Sequence, residues 1–311
     1  MKTIYLHIGS PKTATSAIQS CLHQSQEILS DQGLVYPSQG ITKRTAAHHN
    51  LAYELDKRYH HKVDSSVGCW SDLLSSDFEG KDIIISSEAF FRYGTNEIFK
   101  LKELLADYKV VVLAVLRRQD KYMISSYNQL RRFGKFNGEF SKYIKSMKSV
   151  ADYLNVILLW RAVFDVKVAS FDSLTSGNLM DNFFNSFGVD VHGLKCDDTG
   201  GRNQSTGQKA LRALKYAELK LEHLTEYSRV KIIDLYRDND SPLITFESAQ
   251  EQSDFLNQFE ESNRRMKLLY PEFEFSDEVR FSEVRKVEYS PRHDLELKRI
   301  ITRLSRQRRS S

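Results

Sequence analysis

The sequence predicts an α/β fold in which a central parallel β-sheet is flanked by helices. Short β-rich runs alternate with longer helical patterns as far as Phe187, and such alternation is typical of βαβ units. The run Val110–Leu116 (VVVLAVL) is apolar at every position, as expected of a central strand that is covered on both faces. No proline occurs between residues 38 and 241, so no proline-rich linker divides the middle of the chain.

The first predicted strand is Ile4–Ile8, and it ends at the turn signal Gly9-Ser10-Pro11. Apolar residues then recur at helical spacing from Thr13 onward, and Gly33 is the expected helix C-cap. The remaining strands are predicted at 82–86, 110–116 and 166–171, and the helices at 96–105, 119–132, 150–164 and 179–187.

A chain of 311 residues is long enough for two domains or one large one. We predict an α/β core over residues 1–210 and a mainly helical C-terminal extension over 211–311. The region 205–270 carries helical patterns, and the chain ends in a basic helical segment.

Composition excludes several classes of protein. The net charge of +4 is too small to indicate a nucleic-acid partner. No apolar run is long enough to span a membrane, and the opening residues do not have the pattern of a signal peptide. Cys21, Cys69 and Cys196 form no CxxC pair and no zinc-ligand spacing. We therefore expect a cytoplasmic protein in a reducing compartment, with no metal.

The loop after the first strand has the features of an anion site. Its sequence is Gly9-Ser10-Pro11-Lys12-Thr13-Ala14-Thr15-Ser16, and it leads directly into a predicted helix. A helix N-terminus presents unpaired amides and a positive dipole end, to which Lys12 adds a full charge and three hydroxyls add donors. Pro11 and Leu6 stand where a Walker A motif needs glycine, so an ordinary magnesium–ATP site is not indicated. The alternative is a capped helix beside a solvent-exposed lysine.

A second constellation follows the strand VVVLAVL. Arg117 leaves the carboxyl end of that strand, and Ser125 follows eight residues later in the next predicted helix. Ligands of open α/β sheets bind beyond the carboxyl ends of the strands. Arg118 and Ser126 have the same spacing and are the alternative by a shift of one residue.

Together these motifs resemble those of the sulfotransferases that use 3′-phosphoadenosine 5′-phosphosulfate (PAPS). The first is similar to the family's 5′-phosphosulfate loop, usually K-T-G-T-T, and the second to its 3′-phosphate motif. The segment 152–188 (DYLNVILLWRAVF…NSFG) resembles the bacterial carbohydrate-sulfotransferase branch, and the resemblance covers about residues 1–210. It implies a P-loop-like three-layer fold. Ala14 stands where the family usually has glycine, and a methyl group there would crowd the phosphosulfate or require a different φ.

The resemblance also implies roles for individual residues. The amides of the segment from Lys12 to Ser16, with the hydroxyls of Thr13, Thr15 and Ser16, would hold the phosphosulfate. Lys12 would stabilise charge on the departing phosphate. Arg117 and Ser125 would bind the 3′-phosphate, with Arg202 as a further contact from a late loop. A sulfuryl group would pass from PAPS to a hydroxyl or amine of a carbohydrate or glycolipid acceptor without a metal. The alternatives are a nucleotide or small-molecule kinase and a non-catalytic nucleotide-binding protein.

The acceptor needs a base to take its proton, and three residues are candidates. Glu88 follows the strand at 82–86 and is the first choice; its alternative is an ordinary glutamate at a serine-capped turn. His48 and His49 are the second choice, and by resemblance they lie near the acceptor. Adjacent residues on a helix point about 100° apart, so at most one of the two would face the site.

The end of the chain carries a local concentration of positive charge. Residues 297–311 contain six cations and no acidic residue, and Leu297, Ile300, Ile301 and Leu304 share one helical face. A basic amphipathic helix is typical of contact with an anionic membrane surface. A terminal helix that packs its leucines on its own domain has the same pattern, and the two alternatives stay open here.

Overall fold

The computed structural model describes residues 1–43, 45–194, 207–221, 224–236, 245–275, 295 and 297–302. These residues form two compact units. The first comprises the described residues within Met1–Arg118, Asp152–Thr199 and Phe259–Asp277, and the second those within Gln119–Ala151, Gly200–Gln258 and Glu278–Ser311. Because the units interleave along the chain, neither corresponds to one of the segments 1–210 and 211–311. The expected division of function between those two segments stays a prediction.

The first unit contains a parallel sheet of five strands in the order β2-β3-β1-β4-β5. The strands are β1 (Thr3–His7), β2 (Leu34–Val35), β3 (Asp82–Ser86), β4 (Lys109–Leu116) and β5 (Asp165–Ser170). The predicted α/β fold is therefore confirmed, and the four predicted strands lie within one residue of their observed bounds. The two-residue strand β2 is too short to leave a pattern of its own.

Helices cover both faces of the sheet and give it three layers. Alternate residues of β4 point to opposite faces: Val112 and Ala114 belong to one apolar core, and Leu113 and Val115 to the other. The helices of this unit are α1 (Thr15–Gln24), α2 (Gln26–Asp31), α3 (His49–Leu55), α4 (Trp70–Leu74), α5 (Thr95–Leu104), α8 (Tyr153–Arg161), α9 (Phe171–Leu174), α10 (Leu179–Phe187) and α14 (Glu260–Leu269).

The predicted helix over 150–164 is interrupted. Asp152 has φ −84° and ψ 89°, which is not helical, and α8 begins after it. Its carboxylate accepts a hydrogen bond from the hydroxyl of Ser262, so the break is fixed by a contact that only the folded chain provides.

The second unit is helical in its described part. Its helices are α6 (Gln119–Arg132), α7 (Phe140–Ala151), α11 (Gln208–Lys220), α12 (Glu226–Leu235), α13 (Ala249–Asn257) and a segment at 297–302. The apolar cluster of α11 and α12 includes Leu297, with Ile300 and Ile301 packed against it. The apolar face of the terminal segment is thus used within its own unit as far as residue 302. Residues 303–311 lie outside the described part, and membrane contact through 297–311 stays a prediction.

Two observations concern the environment of the protein. Over the residues that the structure describes, every helix is too short or too polar to cross a membrane. Cys69 is a free thiol, whereas Cys21 is disulfide-bonded. A disulfide bond is unusual in a reducing compartment, and the expected reducing, cytoplasmic environment stays a prediction.

Candidate functional site

The loop between β1 and α1 leaves the carboxyl edge of the sheet at its central strand. The amides of Ile8 and Ser10 donate to the carbonyls of Leu113 and Val115, each at 2.9 Å, and so continue the β1–β4 ladder beyond His7. With β3 on one side of β1 and β4 on the other, the chain changes direction in the sheet at this strand. Such a switch point is where open α/β sheets bind ligands.

Two loop residues adopt left-handed backbone angles. Lys12 has φ 74°, and Ala14 has φ 56° and ψ 21°. This conformation is costly for a residue with a Cβ, and such strain concentrates at functional sites. The backbone at Ala14 is thus in the region that glycine readily adopts, so the methyl group has not forced it to a right-handed conformation.

The start of α1 offers backbone donors. Ala17 and Ile18 donate to the Ala14 carbonyl at 2.9 and 3.1 Å, and no side chain caps this end. The amides of Thr15 and Ser16 therefore precede the first helical hydrogen bonds, at the positive end of the helix dipole. This geometry suits an anion.

The hydroxyls of the loop do not all have the predicted role. The buried Thr13 hydroxyl donates to the Ser10 carbonyl at 2.6 Å. Its proton is therefore used to close the loop, which corrects its expected role as a side-chain donor to a ligand. Thr15 is buried and Ser16 is exposed. The buried Ser10 Oγ has no hydrogen-bond partner among the described residues.

Arg117 joins the end of β4 to this loop. Its Nη1 donates to the Lys12 carbonyl at 2.9 Å, and its guanidinium lies 4.8 Å from the centre of the Phe171 ring. Its own carbonyl accepts from the Tyr153 hydroxyl at 2.8 Å. Two motifs that are 105 residues apart in sequence therefore meet at one edge of the sheet.

The serines of the second motif lie in α6, which belongs to the second unit. Ser125 is half-buried. The hydroxyl of the buried Ser126 accepts from the Tyr143 hydroxyl at 2.8 Å. Ser126 is thus engaged within its own unit, and both registers, Arg117 with Ser125 and Arg118 with Ser126, stay predictions, as does their contact with a 3′-phosphate.

Glu88 lies directly after β3, in the turn that leads to a 3₁₀ helix at Phe90–Arg92. Its Oε2 accepts from Gln19 Nε2 at 3.1 Å, and its Oε1 lies 3.8 Å from His49 Nε2. The carboxylate side chain is 29% exposed, so it is held by neighbours and still open to solvent. The serine-capped turn, which was the alternative explanation for Glu88, is also present, because the Ser87 hydroxyl accepts from the Ala89 amide at 3.2 Å.

His48 and His49 have different environments. His48 is fully buried; its Nδ1 accepts from the Ser86 amide at 3.1 Å and its Nε2 donates to the Pro37 carbonyl at 2.8 Å. Burial lowers the pKa of His48 to about 4. Both ring nitrogens are used in the fold, and the predicted contact of His48 with an acceptor is therefore wrong.

His49 is the member of the pair that reaches Glu88. Its Nδ1 lies 2.7 Å from the Ser87 hydroxyl, and its side chain is 15% exposed. Burial lowers the pKa of His49, although the Glu88 carboxylate acts in the opposite direction. The imidazole is neutral at neutral pH, so it can accept or relay a proton beside the carboxylate.

A buried network beneath Glu88 includes residues that sequence reasoning missed. His7 Nδ1 lies 2.8 Å from Ser86 Oγ, which accepts from Gln19 Nε2 at 3.2 Å. Burial lowers the pKa of His7 to about 3, so its ring is neutral. A Cβ on Gly9 would come within 2.7 Å of His7 Nε2, which explains why the loop begins with glycine. The histidine inside an apolar strand was the available signal in the sequence.

Two further predictions concern Arg202 and metals. Arg202 lies outside the described residues. Within the described ranges, no group of three or more histidine, cysteine, aspartate or glutamate side chains is placed to hold a metal ion.

The chain resembles known proteins at low sequence identity. No family model matches the chain. An uncharacterized protein of Archaeoglobus fulgidus is 28% identical over 194 residues, which is 59% of this chain, and the chain spans only about half (52%) of that relative's length. A crystal structure of a sulfotransferase from Alicyclobacillus acidocaldarius superposes with a TM-score of 0.45 at 14% identity, covering 75% of this chain and 95% of that one. A likeness at this level does not identify an activity for this chain.

Proposed function

We propose that the protein transfers a sulfuryl group from PAPS to a hydroxyl or amine of a carbohydrate or glycolipid acceptor. The observation that carries the proposal is the joint geometry of the anion loop and Glu88. The loop with left-handed Lys12 and Ala14 is fastened by Arg117, and a carboxylate lies at the end of the neighbouring strand. A donor site for an anion thus stands beside a candidate base.

The anion loop supplies what the donor side of the reaction needs. When the acceptor oxygen attacks sulfur, a new S–O bond forms and the bond to the bridging oxygen of the phosphate breaks, leaving adenosine 3′,5′-bisphosphate. Negative charge grows on the departing phosphate. The Lys12 ammonium and the amides at the start of α1 are preorganised donors for that charge, as in phosphoryl transfer.

Glu88 is assigned the role of base on the acceptor side. Its carboxylate takes the proton that the acceptor oxygen loses as it attacks sulfur. Gln19 orients one carboxylate oxygen, and the other faces His49. His49 then assists as a neutral neighbour of the base. The step balances between PAPS, the acceptor and the base, and no metal takes part in it.

Binding of the donor tests the proposal first. Thermal shifts would be measured with adenosine 3′,5′-bisphosphate, 5′-AMP, and ATP with magnesium. We expect selective stabilisation by the bisphosphate, about 2.7 kcal/mol at a concentration one hundred times its Kd. A response to ATP with magnesium and none to the bisphosphate would favour the kinase alternative and overturn the proposal.

Transfer of labelled sulfate tests the chemistry. Lys12→Ala should weaken donor binding and turnover, and Glu88→Gln should lower turnover while the bisphosphate still stabilises the protein. Lys102→Ala and Glu103→Gln, both exposed in α5, are matched controls. Turnover of Glu88→Gln near the wild-type rate would remove Glu88 as the base. Donor binding without transfer to any carbohydrate would indicate the non-catalytic alternative.

A further inference from the structure

Beside Glu88 lies a pair of tyrosine rings that no step of the proposed reaction uses. Tyr53 stacks on His49 with ring centres 5.8 Å apart, and Tyr59 lies 5.7 Å from Tyr53. Both tyrosines are partly exposed. A partly exposed aromatic ring can cover the apolar part of a ligand while its hydroxyl stays in water.

Two exposed cations border these rings. Lys62 Nζ lies 4.7 Å from the centre of Tyr59 and 5.4 Å from that of Tyr53. Arg92 Nη1 lies 3.3 Å from the Tyr59 hydroxyl. Burial is the largest effect on Tyr53 and raises its pKa. The Glu88 carboxylate raises this pKa further, and the Arg92 guanidinium lowers it. Both charges therefore act on the same phenol. Lys62 in turn lowers the pKa of His49.

These cations differ from the third one nearby. Arg58 is paired with the buried Asp56 carboxylate at 2.7 Å. Lys62 and Arg92 form no ion pair with any acidic residue in the described part of the chain. Contact with an aromatic ring leaves the charge of a cation in place, so this rim keeps two positive charges that the fold does not neutralise.

We infer that the site takes a glycan acceptor that carries an anionic group next to the accepting hydroxyl. The sugar ring packs on Tyr53 and Tyr59, the anion lies between Lys62 and Arg92, and the hydroxyl reaches Glu88. Arg92 and Lys62 are then specificity residues and not catalytic ones. This inference rests on the proposed function, because it takes Glu88 as the acceptor side of the site.

Matched glycosides test the inference by binding alone. The first pair of probes is p-nitrophenyl β-D-glucuronide and p-nitrophenyl β-D-glucoside, which differ only in that the first has a carboxylate where the second has a hydroxymethyl group. The second pair is glucose 6-phosphate and glucose. Affinities would be measured by titration with adenosine 3′,5′-bisphosphate present. We expect at least one anionic sugar to bind about tenfold more tightly than its neutral match. Equal affinities within both pairs, or no binding of any probe, would overturn the inference.

Variants show whether the preference comes from this rim. Lys62→Gln and Arg92→Gln should each weaken binding of the anionic sugar about three- to tenfold and leave the neutral sugar unchanged. Lys102→Gln removes an exposed charge elsewhere in the same unit and should change neither. An unchanged preference in the double variant Lys62→Gln/Arg92→Gln would overturn the assignment.

The measurement with adenosine 3′,5′-bisphosphate distinguishes failure of the acceptor inference from failure of the proposed function. Stabilisation by the bisphosphate together with equal binding of charged and neutral sugars means that only the acceptor inference fails. Absence of that stabilisation means that the proposed function itself fails, whatever the sugars do.

Discussion

The side chain of Gln19 holds the carboxylate of Glu88 through a hydrogen bond from Nε2 to Oε2 of 3.1 Å. Gln19 lies in α1, four residues after Thr15, and it is buried. The helix that begins at the anion loop therefore also orients the candidate base. The loop and the candidate base are thus tied to one helix, as the proposed reaction, which depends on positioning, would require.

Replacing Gln19 by Met tests this coupling, because Met keeps most of the volume and removes the donor. We expect kcat to fall about tenfold or more, since the carboxylate loses its orientation, with the KM for the donor unchanged. Gln24→Met changes the exposed end of the same helix and is the control. A variant that loses donor binding together with turnover would instead indicate a general structural role for Gln19.

Ala14→Gly should stabilise the protein. The left-handed angles of Ala14 cost about 1–2 kcal/mol, and glycine removes that cost while adding about 0.5–1 kcal/mol of unfolded-state entropy. The net gain in the free energy of unfolding is about 0.5–1 kcal/mol, measured by urea denaturation. Ala17→Gly, in the first turn of the same helix, should lose up to about 1 kcal/mol. Changes of the same sign in both variants would contradict the assigned conformation.

Buried histidines predict a loss of stability in acid. Burial lowers the pKa of His48 to about 4, whereas in the unfolded chain it is about 6.5. The unfolded state therefore binds more protons between these values, and His48 lowers the free energy of unfolding as pH falls through this window, by about 1.4 kcal/mol per pH unit. His48→Asn should show a correspondingly shallower dependence between pH 6 and 4.5.

The comparison for this prediction is His61→Asn, which alters an exposed histidine that is not among the groups shifting the pKa of His48. Its stability profile should run parallel to that of the wild type. A parallel profile for His48→Asn would show that His48 is not held neutral in the fold.

The two described cysteines should differ in reactivity. In denatured protein, Cys69 should be alkylated without reductant and Cys21 only after reduction, because Cys21 is disulfide-bonded; denaturation is needed because Cys21 is buried in the fold. Peptide mapping by mass spectrometry, on protein purified without reductant, measures the alkylation of each cysteine. Alkylation of Cys21 in the denatured, unreduced protein would contradict the bond.

The sheet could be predicted from sequence because its strands carry their own signals. The runs at 82–86 and 110–116 are rich in β-branched residues, and each is followed by a helical pattern. Strand β2 and the break at Asp152 could not be predicted in this way. The first consists of two residues paired to β3, and the second depends on a hydroxyl 110 residues away in sequence.

The candidate site was predictable only where a motif stands next to a strand end. Lys12, Arg117 and Glu88 have such positions, and the structure brings all three to the carboxyl edge of the sheet. His48 and Gln19 have no such signal. Which histidine of the adjacent pair turns inward depends on hydrogen bonds to the Pro37 carbonyl and from the Ser86 amide. For Gln19, the sequence alone does not distinguish a buried glutamine of an amphipathic helix from one that faces solvent.

The backbone at Ala14 has a consequence for recognising loops of this kind. A sequence motif that requires glycine at that position does not match this chain. A pattern written in torsion angles, with left-handed values at Lys12 and Ala14 between a parallel strand and a helix, includes it. Structural searches by backbone torsion angles should therefore find loops of this kind that sequence motifs do not match.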